Sequence, residues 1–142
     1  MPDRIDLREI RRAAALRIAL RRYTHADDQA ARGAGLTPKR YQLLLLVGSA
    51  GSPPGERRLT VSGAAEKLGI SLSAAAELAT RTEQAGLIER TPAADDARVT
   101  TLSLTEEGSR RMLAAYRAAV SHEDAMLDAL RRAASEGSDE PG

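Results

Sequence analysis

The sequence predicts a mainly α-helical fold with one small β-hairpin. Apolar residues recur at spacings of three and four over most of the chain, which is the period of a helix with one buried face. Residues 99–104 instead combine β-branched and alternating residues, as a strand does. The chain has no Trp or Phe and only three Tyr, so its core must consist of Leu, Ala, Val and Ile. Such a core is typical of helical proteins.

Composition limits the classes of protein that this chain can be. Its 142 residues suit a single domain, which we place at residues 1–134, with a polar tail at residues 135–142 that we expect to be disordered. The absence of cysteine excludes disulfides and thiolate metal sites. His25 and His122 lack the spacing of metal ligands, so we expect neither a metal nor a cofactor.

The hydropathy pattern gives no sign of a membrane protein. No apolar run approaches the roughly 20 residues that a membrane-spanning helix needs. The first residues are charged throughout and lack the apolar centre of a signal peptide. We therefore expect a soluble, cytoplasmic protein without a membrane partner.

The first predicted helix covers residues 5–31. Its apolar residues spread over more than one narrow stripe, and arginines lie between them. A long helix with a broad apolar surface at a chain end often packs against a second copy of the chain, so we interpret it as a dimerisation helix. The alternative is that it packs only on its own domain. The arginines are expected to be solvated.

A glycine-rich break at residues 33–35 separates this helix from the next. Thr37 is a suitable N-cap, and Pro38 suits the first helical position, where its missing N–H costs nothing. The leucine-rich segment that follows makes this the most hydrophobic helix, so we expect it to lie at the centre of the fold. Residues 48–55 are predicted to form a loop.

Two short helices joined by a tight turn are predicted next. Thr60 or Ser62 can cap the first of them. Gly69 suits the left-handed position at its end, and Ser71 or Ser73 can cap the second. This arrangement predicts a helix-turn-helix, whose second helix has the size that fits the major groove of DNA.

The hairpin follows directly. Gly86 ends the second short helix, residues 87–92 form one strand, and residues 99–104 return as the other. Leu59 is expected to pair with the hairpin as a short third strand. The sequence thus predicts a winged helix-turn-helix head over residues 36–104.

The last predicted helix, residues 105–134, begins at the N-cap Thr105 and is the second candidate dimerisation helix. Just before the helix-turn-helix, Arg57 and Arg58 lie where they could touch DNA phosphates. Two exposed arginines are equally well explained as solvated residues.

Three short motifs carry a family resemblance. The sequence reads L-T-P at residues 36–38, A-G-L-I-E-R at residues 85–90, and D-A-R at residues 96–98 followed by L-T-E-E-G at residues 104–108. In this order they resemble the MarR family of bacterial transcription regulators. The resemblance extends over almost the whole chain, and the D-x-R and L-T-x-x-G motifs are its most specific part.

The resemblance implies a DNA-binding regulator, and a repressor in particular. It implies a homodimer, held by the N- and C-terminal helices, that reads a pseudo-palindromic operator in double-stranded DNA. Arg98 would enter the minor groove, whose negative potential suits a planar guanidinium, and Asp96 would orient it or brace the wing. The alternative is that Asp96 and Arg98 form a salt bridge that only stiffens the hairpin.

The second helix of the helix-turn-helix carries few basic groups. Glu77 stands where the family commonly has Arg, and Thr82 stands where it commonly has Leu. A carboxylate can accept a hydrogen bond from cytosine but repels phosphate. The candidate DNA-contacting residues are Arg57, Arg58, Ser71, Ser73, Ala74, Glu77, Arg81, Asp96 and Arg98.

The distribution of charge along the chain is also compatible with a second function. Residues 1–40 carry a net charge of +5, whereas residues 61–98 carry −2. Phosphate contacts supply much of the affinity for DNA, so an acidic head disfavours tight binding. The alternative is a winged-helix interaction module or antagonist that acts through a protein partner.

The resemblance also implies a cleft in which a small aromatic or phenolic effector binds and releases the DNA. The candidate lining residues are Arg17, Tyr23, His25, Tyr41 and Tyr116. Their alternative role is structural, with the tyrosines as core residues and His25 at the surface. No constellation of nucleophile, base or phosphate-binding loop predicts an enzyme.

Overall fold

A computed structural model describes residues 4–50, 58–93 and 96–136, with five helices and two strands in these parts of the chain. The structure confirms the mainly helical fold with one antiparallel hairpin. The elements in chain order are α1 (Leu7–Gly33), α2 (Pro38–Ala50), α3 (Val61–Leu68), α4 (Leu72–Gln84), β1 (Ile88–Pro92), β2 (Thr100–Leu104) and α5 (Glu106–Glu136).

The core of the head lies where α2 meets the hairpin and the start of α5. The large side chains that are at most 2% exposed come from α2, β1 and β2 and from the turn before β1. Fully burying a leucine or isoleucine contributes about 1.5–3 kcal/mol, so this cluster is the main stabilising feature of the head. These side chains are those of Tyr41, Leu43, Leu44, Leu87, Ile88 and Leu102.

Each short helix of the head begins at a hydroxyl cap. The Thr60 side chain accepts a hydrogen bond from the Gly63 N–H at 3.0 Å, and the Ser71 side chain accepts one from the Ala74 N–H at 3.1 Å. Gly69, at φ 66°, ends α3 in the left-handed conformation that the turn prediction requires. Of the predicted alternatives, Thr60 and not Ser62 is the N-cap of α3. Ser71 and not Ser73 is the N-cap of α4.

A third backbone segment extends the hairpin. β1 and β2 pair in antiparallel register from Ile88 opposite Leu104 to Pro92 opposite Thr100. The Leu102 N–H donates to the Leu59 carbonyl at 2.8 Å, and an isolated bridge joins Thr60 to a β2 residue. The predicted pairing of Leu59 with the hairpin is therefore confirmed.

The ends of the first two helices differ from the predicted ones. α1 begins at Leu7 and not at residue 5, because Asp6 is its N-cap and accepts a hydrogen bond from the Arg8 N–H. α1 continues to Gly33, because Gly35, at φ 74°, is the residue that adopts the left-handed conformation. α2 continues to Ala50, so residues 48–50 are helical and not part of the predicted loop. Residues 51–55 of that loop lie outside the described residues.

The end of α5 corrects the predicted tail. Ser135 and Glu136 are helical, and the Ser135 hydroxyl donates to the Arg131 carbonyl at 3.0 Å. That hydrogen bond satisfies the hydroxyl within the helix, and α5 continues two residues beyond the predicted end at residue 134. The rest of the expected tail, residues 137–142, lies outside the described residues.

α1 and α5 pack against each other along much of their length. Small side chains form the seam, since Ala19, Ala119 and Ala133 are all buried. None of the described helices is both long enough and apolar enough to cross a membrane.

Candidate nucleic-acid interface

The outer face of α4 is the surface that the helix-turn-helix prediction assigns to DNA. Ser73, Glu77 and Arg81 follow at intervals of four residues and are all exposed, so they form one stripe along the helix. Ala75 and Ala79 are at most 2% exposed and hold the opposite face against the head. The predicted reading residues are therefore accessible, and Ala74 is exposed beside them.

Residues Leu72, Ala75, Ala79 and Thr82 follow at spacings of three and four, which predicts one buried face for α4. Leu72 alone departs from this pattern, since it is 60% exposed at the first turn of the helix. Thr82 is fully buried, and its hydroxyl donates to the Leu78 carbonyl at 2.6 Å. That internal bond satisfies the hydroxyl, so Thr82 fits a core position where the family commonly has Leu.

An ion pair dominates the electrostatics of this stripe. A guanidinium nitrogen of Arg81 lies 2.6 Å from a carboxylate oxygen of Glu77, one helical turn away. Both side chains are more than 60% exposed, so solvent screens the pair and its contribution to stability is small. The pair nevertheless neutralises the one basic side chain of α4.

The hairpin turn presents Arg98. Its backbone N–H donates to a carboxylate oxygen of Asp96 at 3.0 Å, which closes a tight local turn. Within the described residues, the Arg98 guanidinium forms neither a hydrogen bond nor an ion pair with Asp96. Asp96 therefore braces the backbone of the wing, and the Arg98 guanidinium extends from an exposed residue.

Two of the predicted contacts precede α3. Arg58 is exposed immediately before Leu59, which is held by the hairpin. Arg57 lies outside the described residues. Ser71 is exposed at the first turn of α4, where its oxygen already accepts the capping hydrogen bond.

Arg90 is a residue of the interface that the motif analysis did not single out for a role. From β1, its guanidinium donates to the Thr80 hydroxyl at 2.7 Å and contacts the Ala76 carbonyl at 3.4 Å. Its backbone N–H donates to the Glu83 carboxylate at 3.1 Å. These contacts fasten the first strand of the wing to α4. The signal in the sequence was the arginine of A-G-L-I-E-R, which is two residues into the strand.

The L-T-x-x-G motif forms the junction between the hairpin and α5. The Thr105 hydroxyl donates to the Gly86 carbonyl at 2.6 Å and accepts from the Gly108 N–H at 3.0 Å. A Cβ atom on Gly108 would lie 1.9 Å from the Leu87 carbonyl oxygen. This motif therefore positions α5 against the strand.

A second cluster lies where α1, α2 and α5 meet. Tyr23 on α1, Tyr41 on α2 and Tyr116 on α5 are close enough that the first and third act on the second electrostatically. Asp27 and Glu123 act on it as well. Tyr41 thus lies within electrostatic range of the other two tyrosines and of two carboxylates, and Tyr116 is 42% exposed.

Burial and nearby carboxylates raise the pKa values of Tyr23, Asp27 and Tyr41. Burial, followed by the charges of Asp27 and Glu123, raises the pKa of Tyr23. Burial and then Asp27 raise the pKa of Tyr41 to about 12. Burial, followed by Asp28 and Glu123, raises the pKa of Asp27. Each shift indicates an environment that disfavours additional negative charge.

The structure separates the predicted effector residues into two groups. Tyr23 and Tyr116 lie within electrostatic range of Tyr41, whereas Arg17 is exposed and donates to the Ala13 carbonyl at 2.9 Å, and His25 is exposed. The analysis of the sequence missed Asp27 and Glu123. Their spacing was the available signal, since Asp27 lies one helical turn after Tyr23 and Glu123 two turns after Tyr116.

A cavity of about 590 Å³ opens between α1 and α5 beside this cluster. Tyr23 lines it together with Ile18, Ala19 and Met126, and Arg22 lies among its polar groups. Among the described residues, no group of three His, Asp or Glu side chains is arranged to hold a metal ion.

Comparisons with known proteins agree with this architecture. Residues 34–99 match the sequence model of the MarR family. The YusO protein of Bacillus subtilis superimposes with a TM-score of 0.63 and 26% identity, covering 90% of this chain and 93% of that one. No curated protein sequence matches the chain.

Two further solved structures share the fold at lower identity. One is the MepR–DNA complex of S. aureus, with a TM-score of 0.65, 19% identity and coverage of 82% of each chain. The other is CouR from Rhodococcus jostii bound to p-coumaroyl-CoA, with a TM-score of 0.63 and 23% identity, covering 78% of this chain and 79% of that one.

Proposed function

From the premise that the winged-helix part of this chain belongs to the MarR family, we propose that the protein is a sequence-specific DNA-binding transcription regulator. It acts in the cytoplasm as a homodimer on a pseudo-palindromic operator, and it represses transcription until a small molecule releases it. Regulators of this family are transcription factors and not enzymes, so the proposal assigns no catalytic residue.

One observation carries the proposal. The exposed stripe of α4 and the exposed Arg98 of the wing belong to one rigid unit, because Arg90 fastens β1 to α4. A helix for the major groove and an arginine for the adjacent minor groove are thus held in a fixed relation. Ser73 and Glu77 can then contact bases, and Arg58 and Arg81 can contact phosphates. The similar fold of a regulator solved on DNA supports this assignment.

The two long helices support dimerisation. Leu7, Ile10 and Ile18 share a face of α1 and are 64%, 47% and 51% exposed. Leu113 and Leu127, on one face of α5, are 42% and 44% exposed. Apolar faces of this size on two adjacent helices are typical of a surface that a second copy covers.

Release by a small molecule rests on the cavity beside the tyrosine cluster. The cavity lies between the helices assigned to the dimer, and the cluster includes Tyr41 from the first helix of the head. A ligand bound there would contact both parts and could change their relative orientation. A regulator of similar fold has been solved with p-coumaroyl-CoA, which is consistent with ligand binding by such a fold.

The Glu77–Arg81 ion pair favours a second candidate function. Because the pair neutralises the basic group of α4, the head has few charges to attract phosphates. An interaction module or antagonist that acts through a protein partner is therefore the competing proposal.

A salt titration of DNA binding decides between the two. The probe is the DNA upstream of the gene, and the proteins are the wild type, Arg98→Ala and the control Arg131→Ala, which removes an exposed arginine near the end of α5. We expect tight, specific binding that weakens about 10- to 100-fold in Arg98→Ala and is unchanged in Arg131→Ala. Weak, sequence-independent binding that Arg98→Ala leaves unchanged would instead favour the interaction module.

A further inference from the structure

Glu77 is an exposed charged residue of α4 whose side chain does not connect the helix to the rest of the head. The other carboxylate of the helix, that of Glu83, accepts a hydrogen bond from the Arg90 backbone N–H at 3.1 Å and so joins α4 to the wing. The Glu77 side chain is 63% exposed, and one of its oxygens, Oε1, forms the ion pair with Arg81. Within the described part of the chain, its other oxygen, Oε2, has neither a hydrogen bond nor an ion pair. That oxygen is therefore available to a donor outside the protein.

Glu77 lies at the middle of the exposed stripe of α4. Ser73 precedes it by one helical turn and Arg81 follows it by one turn, and all three are exposed. Ala75 and Ala79 are buried and fix the opposite face of the helix against the head. When a helix enters the major groove along such a stripe, the central side chains face the base edges and the flanking ones lie nearer the phosphates. The carboxylate of Glu77 is therefore directed at bases.

The ion pair with Arg81 makes the approach of a carboxylate to DNA feasible. A guanidinium nitrogen of Arg81 lies 2.6 Å from Oε1 of Glu77. A carboxylate that leaves water without a partner is strongly disfavoured, and phosphates repel it in addition. The guanidinium offsets this charge and restricts the rotation of the carboxylate. The pair thus presents an oriented acceptor with little net charge.

We infer that Glu77 recognises a cytosine in each half-site of the operator, by accepting a hydrogen bond from the N4 amino group. In the major groove, cytosine presents a donor without a neighbouring acceptor on the same base. Adenine presents its N6 donor beside the N7 acceptor, whereas guanine and thymine present acceptors. A carboxylate therefore prefers cytosine, binds adenine less well and is repelled by guanine and thymine. This inference rests on the proposed DNA-binding function and specifies a base that the helix reads.

The competing role of Glu77 is electrostatic repulsion alone. In that role the carboxylate would contact no base and would only oppose the phosphates. Its removal would then strengthen binding to every DNA sequence by a similar factor, because phosphate contacts carry no sequence information. A contact with cytosine instead changes the preference at one base position and leaves the others as they are.

Selection from a library of random DNA duplexes distinguishes these two roles. The full chain is bound to the library, the bound duplexes are sequenced, and affinities are then measured on the selected site and on its single-base variants. The proteins are the wild type, Glu77→Gln, Glu77→Ala and the control Glu66→Gln. The control removes an equal charge from an exposed carboxylate of α3, in the same head but outside the stripe. Circular dichroism and thermal unfolding establish that each variant is folded.

The wild type should enrich a site with cytosine at one position of each half-site. Replacing this cytosine by guanine or thymine should weaken binding of the wild type about 10- to 100-fold. Glu77→Gln should prefer adenine at that position, because its amide can donate to N7 and accept from the N6 amino group. Glu77→Ala should lose the preference at that position alone. Glu66→Gln should select the same site as the wild type.

Two results would overturn the inference while leaving the DNA-binding proposal intact. One is that Glu77→Ala keeps every base preference of the wild type. The other is that Glu77→Ala and Glu66→Gln strengthen binding to all sequences to the same extent, as repulsion alone requires. A folded wild type that enriches no sequence would overturn the DNA-binding proposal together with this inference, so the two failures are distinguishable.

Discussion

The head and the pair of long helices differ in how completely they bury their apolar side chains. In the head, Leu44, Leu87 and Leu102 are at most 2% exposed, and each helix begins at its own cap. In the long helices, Leu7 is 64% exposed and Ile18 is 51% exposed. The head therefore completes its core within one chain, whereas α1 and α5 leave apolar surface that a single chain does not cover.

This difference indicates where stability and assembly reside. Close packing within the head makes it sensitive to a change of one methyl group. The long helices meet through small side chains and should tolerate such changes, but they should respond strongly to charge on their exposed apolar faces. The following substitutions test this contrast, from the largest expected effect to the smallest.

Gly108→Ala should be the most damaging single substitution. The new methyl group would lie 1.9 Å from the Leu87 carbonyl oxygen, so α5 or β1 has to move. We expect a loss of at least about 3 kcal/mol in the free energy of unfolding, measured by chemical denaturation. Gly33→Ala is the control, because its Cβ atom meets nothing within 4 Å, and it should change stability by less than about 1 kcal/mol. Equal effects would show that the junction is not tightly packed.

Ile18→Glu should separate assembly from folding. A charge on the exposed face of α1 has to be desolvated when a second copy covers it, so we expect the dimer to weaken about 100-fold with the fold retained. Light scattering across a concentration series measures the change. Leu72→Glu, at a residue 60% exposed on α4, is the control and should leave the dimer intact. A wild-type protein that is monomeric at all concentrations would contradict the interpretation of this face.

Thr105→Val tests the cap that joins the head to α5. The substitution removes the hydrogen bonds with the Gly86 carbonyl and the Gly108 N–H while preserving the shape of the side chain. We expect a loss of about 1–2 kcal/mol in thermal or chemical unfolding. Thr91→Val, at an exposed residue of β1, provides the comparison and should be close to neutral. A Thr105→Val protein as stable as the wild type would mean that packing alone holds the junction.

Glu107→Gln should have the smallest effect, and that effect should depend on pH. Hydrogen bonds from Arg110 and Arg111 lower the pKa of Glu107 from 4.5 to about 2, and Arg111 also contacts the Gly35 carbonyl at 3.3 Å. The carboxylate therefore stabilises the folded state at pH values above about 4.5, and this stabilisation is lost as the pH falls to about 2.

Unfolding measured across that pH range checks the assignment. The wild type should be slightly more stable than Glu107→Gln at neutral pH, and the two should converge toward pH 2. A difference that is the same at every pH would show that the carboxylate acts through packing and not through its charge. Asp128→Asn, whose partner is the exposed Arg131, should be silent throughout.

Local chemistry in the sequence determined the order of the elements and most of their boundaries. Thr37 with Pro38, Gly69 and Gly86 act through their own backbone and side-chain geometry, so their effects are visible without knowing the fold. The prediction of a loop from residue 48 failed because packing from other elements is not visible in the local sequence. Gly48 is helical in α2, and a Cβ atom there would lie within about 3.3 Å of the Leu104 and Met112 side chains, so the glycine makes room for β2 and α5.

The candidate DNA-binding surface was largely predictable as a set of exposed positions. The local brace of the Arg98 backbone by Asp96, two residues away, was predicted, whereas the contact of Arg90 with Thr80 on α4 was not, because it joins residues ten positions apart in different elements. The role of Gly108 could not be predicted from the sequence either. Only the approach of the Leu87 carbonyl shows why a side chain is excluded at this position.

By itself, the sequence determined a helical protein with a winged helix-turn-helix, because helical spacing, caps and turns depend on residues close together in the chain. Only the tertiary structure decided that Tyr41 lies within electrostatic range of Tyr23, Tyr116, Asp27 and Glu123. These residues come from three helices separated by most of the chain. Their proximity results from how α1, α2 and α5 pack, and the combined charge of such a cluster exists only after that packing has occurred.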